Sequence, residues 1–294
     1  MNNNTDKTRW HRILAGMFKE LLTPLNITVL SDVRIMTDPP KIDVLLIRRE
    51  TPQWTDEQLM RLPDGIRDTR ADHILIEFKF TESVNRNALN QALAYDTFFR
   101  RTQESLNPKQ IQTFVLSSKT PLKATRGMFG YTENIKSGIY HSANIMLERL
   151  PLIAINELSD APHNDFVKCF ASRNNKRQQA FKRIIQSGRK HLSIAFFYFI
   201  NGIMKLMNRK EQGGLSMETE ITPDLVMEIG KEMYEAMLDG LRPEDFLERF
   251  DTEEILSKFK PEEVLSRYKP EERLSGLKPD EIEAYLRKII KNNN

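Results

Sequence analysis

The sequence predicts a mixed α/β fold on three observations. Residues 72–80, Asp-His-Ile-Leu-Ile-Glu-Phe-Lys-Phe, are an almost unbroken apolar run of the kind a strand covered on both faces requires. Around that run the first half of the chain is ordered helix, three strands, helix, strand. The second half changes in kind, to helical patterns and then to a tail of nine-residue repeats. A chain of 294 residues buries one large core or two modest ones, and 39% hydrophobic with 29% charged residues is the balance of a globular protein.

The first helix is expected over Thr8 to Leu22, where Ile13, Leu14, Met17, Phe18, Leu21 and Leu22 fall on one face and Thr23-Pro24 ends the pattern. Leu25 to Met36 alternates β-branched and polar residues and predicts the first strand. After the break at Thr37-Asp38-Pro39-Pro40, Lys41 to Arg48 predicts the second. The polar stretch from Glu50 to Asp72, with a turn signal at Pro63-Asp64-Gly65, is an excursion leading to the central strand. Val84 to Thr102 then reads as a helix with Ala88, Leu89, Ala92, Leu93, Phe98 and Phe99 as its buried stripe. Ile111 to Ser117 is the fourth strand, and Gly138–Tyr140 and Leu152–Ile155 are candidates for further short ones.

Composition narrows the function classes without choosing one. A net charge of +3 neither demands nor excludes nucleic acid. The single cysteine, Cys169, rules out an internal disulfide framework and fits a reducing compartment. The polar start lacks the apolar core of a signal peptide, and the apolar run Leu192–Met204 is too short to span a bilayer. The expectation is a cytoplasmic protein without a membrane partner.

Two charges interrupt the central strand. Residues two apart share a strand face, so Leu75, Glu77 and Lys79 point one way and Ile74, Ile76, Phe78 and Phe80 the other. A buried carboxylate and ammonium side by side are either a structural ion pair or a functional pair, and the strand alone leaves both open. Asp43, inside the apolar second strand, needs a similar reason. Gln91 and Tyr95 lie one turn apart at the edge of the buried stripe of the following helix.

Asp43, then Glu77-x-Lys79 on the next strand, then Gln91-x-x-x-Tyr95 on the next helix, resembles the pattern of the PD-(D/E)XK nuclease superfamily. Within it the chain is most similar to the recombination-promoting nuclease and transposase-like group. The resemblance implies a restriction-endonuclease-like core and Mg²⁺-dependent hydrolysis of DNA phosphodiesters in recombination or transposition, with Mn²⁺ as an alternative ion. Asp43 and Glu77 would anchor the metal, and Lys79 would stabilise charge on the phosphate or orient the attacking water. Gln91 and Tyr95 would position water or phosphate, and Glu20 on the first helix would complete the metal shell through water. Hard Mg²⁺ prefers oxygen ligands and keeps several waters, which suits two carboxylates on adjacent strands. The alternative is a catalytically silent nuclease-fold protein that binds nucleic acid or a protein partner.

Phe166 to Leu192 contains no acidic residue, and Lys176, Arg177, Lys182 and Arg183 within it are the expected phosphate contacts to DNA, against the alternative of a solvated basic face. Leu192 to Met207 is apolar all round, as a buried helix is, and Pro223 to Leu241 is amphipathic. Repeat units then open at Arg242, Asp251, Lys260, Lys269 and Lys278, mostly as Lys-Pro-acid-acid, a helix-start pattern. Each unit is too short to be stable alone, so the tail is expected to be an oligomerisation or protein-docking arm, or else a spacer. The predicted division is a nuclease-like domain over 8–165, a basic helical region over 166–241 and the repeat tail over 242–291.

Overall fold

The computed structural model describes residues 4–34, 41–48, 51–103, 105–187, 192–211, 221–240, 251, 253 and 256–292. The chain is α/β and parts into two compact units, Met1–Ala236 and Met237–Asn294.

In the first unit, α1 (Asn4–Leu22) precedes β1 (Ile27–Arg34), β2 (Lys41–Arg48), the short α2 (Asp56–Leu59) and β3 (His73–Lys79). Then come α3 (Arg86–Thr102), β4 (Ile111–Ser117), α4 (Lys123–Met128), β5 (Glu133–Lys136), β6 (Ile139–His141) and β7 (Leu152–Ala154). Four helices follow: α5 (Pro162–Lys168), α6 (Asn174–Gln186), α7 (Ile194–Glu211) and α8 (Pro223–Asp239). The strands form one seven-stranded sheet in the order β1-β2-β3-β4-β7-β6-β5. The β1-β2-β3 meander is antiparallel, β3, β4 and β7 run parallel, and β6 and β5 return antiparallel. The central position of β3 explains its apolar sequence, since a strand paired on both sides and covered on both faces has no solvated surface.

Period two divides the sheet residues between two layers. Val44, Leu46, Ile74, Ile76 and Phe78 join the large core with Ile13, Leu14, Met17 and Phe18 of α1 and with Phe170, Phe196 and Phe199 from the later helices and their connections. Leu45 and Leu75 face the other way, with Phe99 of α3. Asn85 caps α3 by accepting the Ala88 N–H at 3.0 Å. α7 and α8 cross backbone to backbone. A Cβ on Gly202 would stand 1.9 Å from the Val226 carbonyl oxygen, and one on Gly230 would stand 1.6 Å from that of Tyr198.

Residues after 165 therefore share the core of the sheet instead of forming the separate region expected from residue 166. The partition falls inside the last turn of α8. β5 and α4 are additions to the predicted elements.

In the second unit, α9 (Pro261–Leu265), α10 (Pro270–Leu274) and α11 (Pro279–Asn292) each begin at the proline of a repeat. The repeat chemistry is that of an N-terminus. Proline supplies a fixed φ where no N–H is needed, and the second acid folds back. Glu272 accepts the Lys269 N–H at 2.8 Å and Glu281 that of Lys278 at 3.0 Å. The recurring apolar positions Phe259, Leu265, Tyr268, Leu274, Leu277 and Leu286 are exposed. The unit opening at Arg242, and parts of the one at Asp251, lie outside the described residues, as do Arg189 and Lys190 of the basic segment.

Candidate active site

The antiparallel registers set three acidic positions abreast. Val44 pairs with Ser31 on one side and Ile76 on the other, so Asp43 lies between position 32 of β1 and position 77 of β3. The Phe78 N–H donates to Asp43 Oδ2 at 2.8 Å, which ties the carboxylate to the edge of β3 where Glu77 and Lys79 emerge. Lys79 Nζ donates to Glu77 Oε1 at 2.5 Å and to Gln91 Oε1 at 3.3 Å, and Gln91 Nε2 donates to the Tyr95 hydroxyl at 2.7 Å. Asp43, Glu77, Lys79, Gln91 and Tyr95 are thus brought together from β2, β3 and α3. Lys79 is 1% exposed, Glu77 2% and Asp43 8%, so their charges meet each other in a poorly solvated setting where electrostatic terms are large. Burial pushes the Tyr95 phenol above its ordinary pKa, and the Glu77 and Asp43 carboxylates add to this against the opposing Gln91 hydrogen bond. Tyr95 therefore keeps its proton and can donate it in a hydrogen bond to a phosphate oxygen.

Glu20 does not join them. The α1 residue that reaches the cluster is His11, whose Nδ1 lies 3.3 Å from Asp43 Oδ1. Glu20 is nine residues further along the same helix, about 13.5 Å of rise away. The water-mediated metal role expected of Glu20 is thereby displaced by geometry.

His11 and Asp32 are the site residues that sequence reasoning missed. His11 Nε2 lies 3.1 Å from Asp32 Oδ1, so the imidazole bridges two carboxylates on neighbouring strands; a ring donating from both nitrogens satisfies both. Arg12 Nε holds the other oxygen of Asp32 at 2.9 Å. Burial raises the Asp32 carboxyl, but His11 and Arg12 outweigh it and hold the group below its usual pKa. Asp32 has φ 52°, left-handed backbone inside a strand, tolerated by Asp better than by most residues. The only advance signal was an acid in a β-branched strand.

The donor chemistry fits a hard divalent cation. Asp43 and Glu77 present carboxylate oxygens from adjacent strands, and Mg²⁺ is commonly held by one or two carboxylates with water and substrate phosphate supplying the rest. Among the described residues no group of three or more His, Cys, Asp or Glu is arranged to hold a metal ion.

The basic segment has partners within the fold. Arg177 is buried and donates to the Ala171 carbonyl at 2.7 Å. Arg183 grips Asp165 with two nitrogens, Nε to Oδ2 at 2.9 Å and Nη2 to Oδ1 at 2.6 Å, and Lys176 stands 3.8 Å from Asp160. Of the four expected phosphate contacts, Lys182 alone is exposed. The others are engaged with acids or carbonyls of the fold, so they do not form a free cationic stripe.

No helix among the described residues is long and apolar enough to cross a membrane. Comparison with known proteins finds no matching family model, curated protein or solved structure.

Proposed function

We propose that the protein is a metal-dependent endonuclease of PD-(D/E)XK type that hydrolyses DNA phosphodiester bonds. The observation that carries the reading is the connected run Asp43, Glu77, Lys79, Gln91, Tyr95, in which five side chains from two adjacent strands and the following helix converge on one ammonium and two carboxylates. Asp43 and Glu77 would hold Mg²⁺, which when bound lowers the pKa of a water and neutralises charge on the phosphate. Lys79, already fixed by Glu77 and Gln91, would donate to the oxygens that gain charge in the pentacovalent transition state. Tyr95 would orient a non-bridging oxygen through its retained proton, and His11 would keep Asp43 in place. In this reading the tail, with its row of exposed apolar residues, serves assembly or a protein partner.

A second reading has its own support. The Lys79–Glu77 contact is short and nearly sealed from solvent, as a purely structural pair would be. A nuclease-fold protein that binds nucleic acid or protein without cutting would carry such a pair. Incubating supercoiled plasmid with purified protein, with Mg²⁺ or with chelator, separates the two. Mg²⁺-dependent nicking or linearisation supports the nuclease. Intact plasmid, together with no rise in melting temperature on adding Mg²⁺, rejects it.

A further inference from the structure

At the opposite end of β2 from Asp43 lies a cavity of about 280 Å³, walled by Arg48 and residues 52–54 on one side and by the 67–70 loop on the other. The separation along the strand is five residues, about 17 Å, so it does not belong to the cluster above. Arg48, Arg67 and Arg70 line it, together with Trp54. Arg48 is 7% exposed. Its Nη2 donates to the Arg70 carbonyl at 3.1 Å, while Nε and Nη1 have no hydrogen-bond acceptor. The Trp54 ring supports the guanidinium from 4.7 Å, and that ring is fixed by its own N–H donating to the Thr69 carbonyl at 2.8 Å.

Burial lowers the Arg48 pKa and the nearby Asp72 charge opposes this, but the hydrogen bonds of the neighbouring acids go elsewhere. Asp68, which shares the cavity wall, is bound by Lys136 at 2.7 Å. Asp72 is hydrogen-bonded to His73 at 2.6 Å and to Gln110 at 3.0 Å. Among the described residues none of the three arginines has an ion-pair partner. Burying a guanidinium with donors unmatched is unfavourable unless an acceptor arrives, and a planar fork of N–H groups matches the paired oxygens of an oxyanion.

We propose that this cavity binds a phosphate monoester, whose two negative charges and tetrahedral oxygens answer the Arg48, Arg67 and Arg70 guanidiniums. The group comes either from a free nucleotide-sized metabolite or from the phosphorylated end of a nucleic-acid strand. The proposal is independent of cleavage at Asp43 and Glu77.

The test is titration calorimetry on the full chain at low ionic strength with inorganic phosphate, adenosine monophosphate, and an oligonucleotide carrying either a 5′-phosphate or a 5′-hydroxyl. Binding of the monophosphate alone assigns a small ligand. Binding of the 5′-phosphorylated strand but not its hydroxyl twin assigns a strand end. In either case Arg67→Gln with Arg70→Gln weakens binding at least tenfold. Arg48→Met removes the unmatched buried charge, so it abolishes binding while the unliganded protein melts no lower than wild type. No binding of any phosphate compound, equal binding of both strands, or binding unchanged in the Arg67→Gln, Arg70→Gln protein overturns the proposal.

Discussion

Among the described residues two lysines are buried almost completely, and they are buried for different ends. Lys168, 0% exposed, spends its three N–H groups on the carbonyls of Leu158 and Ser159, each at 3.1 Å, and on the Asp160 carboxylate. All three acceptors lie in one loop, two of them on main chain, so the ammonium pins that loop to α5. Lys79, 1% exposed, is held by side chains from its own strand and from α3, Glu77 and Gln91. Main-chain partners have nowhere to go. Side-chain partners can exchange an ammonium for a cation or share it with a phosphate oxygen. Burial of a charge therefore does not by itself mark a site; the mobility of what satisfies the charge is the more telling property.

The sharpest way to break this comparison is at Lys79. Lys79→Met is expected to lower plasmid cleavage at least about 100-fold, the scale of losing one donor to a transition-state oxyanion. Stability lost because Glu77 has no ammonium beside it should return when Mg²⁺ is added, read as a rise in melting temperature. A melting temperature indifferent to Mg²⁺ would make Lys79 a second Lys168. Asp43→Asn is the companion experiment. The amide oxygen still accepts the Phe78 N–H, so stability without Mg²⁺ should stay within about 1 kcal/mol of wild type in urea unfolding, while cleavage and the Mg²⁺-induced rise both disappear.

Lys168→Met tests the other side. It leaves two carbonyls unmatched and Asp160 without its ammonium, at a cost of about 3 kcal/mol or more, with cleavage per folded molecule unchanged. The smallest effect is in acid. The Lys168 hydrogen bond holds the Asp160 carboxyl below its usual pKa. Its contribution is present above the unfolded value of about 3.9 and is lost as pH falls through the lower folded value. Unfolding midpoints measured between pH 5 and 2 should therefore lose part of their slope in Lys168→Met. An unchanged slope would mean that Asp160 is not what couples this loop to pH.

The site was legible in the sequence where spacing does the work. Glu77 and Lys79 share a face because strands have period two, and Gln91 and Tyr95 stack because helices repeat near four. The bounds of β2 and β4 follow from apolar runs closed by proline or polar residues. His11 was not legible, because nothing in a polar helix start says that its ring will reach a carboxylate 32 positions later. The left-handed turn at Asp32 was equally silent. The partners of the basic segment were not legible, for a local reason. Its acid-free stretch begins at Phe166, while the acids that engage Lys176 and Arg183 are Asp160 and Asp165, just before it. Charges counted in a window were neutralised by charges at its rim.

The sharing of one sheet face between α1 and helices beyond residue 165 bears on how the chain is made. Ile74, Ile76 and Phe78 leave the ribosome long before Phe196 and Phe199, which help to cover them. Until α7 has been synthesised, one apolar face of the nascent sheet is covered only in part, by α1. A polypeptide released near residue 165 would hold every member of the cluster in sequence and yet lack part of the layer on the opposite face of the sheet. An interrupted chain is thus a candidate for aggregation through that exposed face.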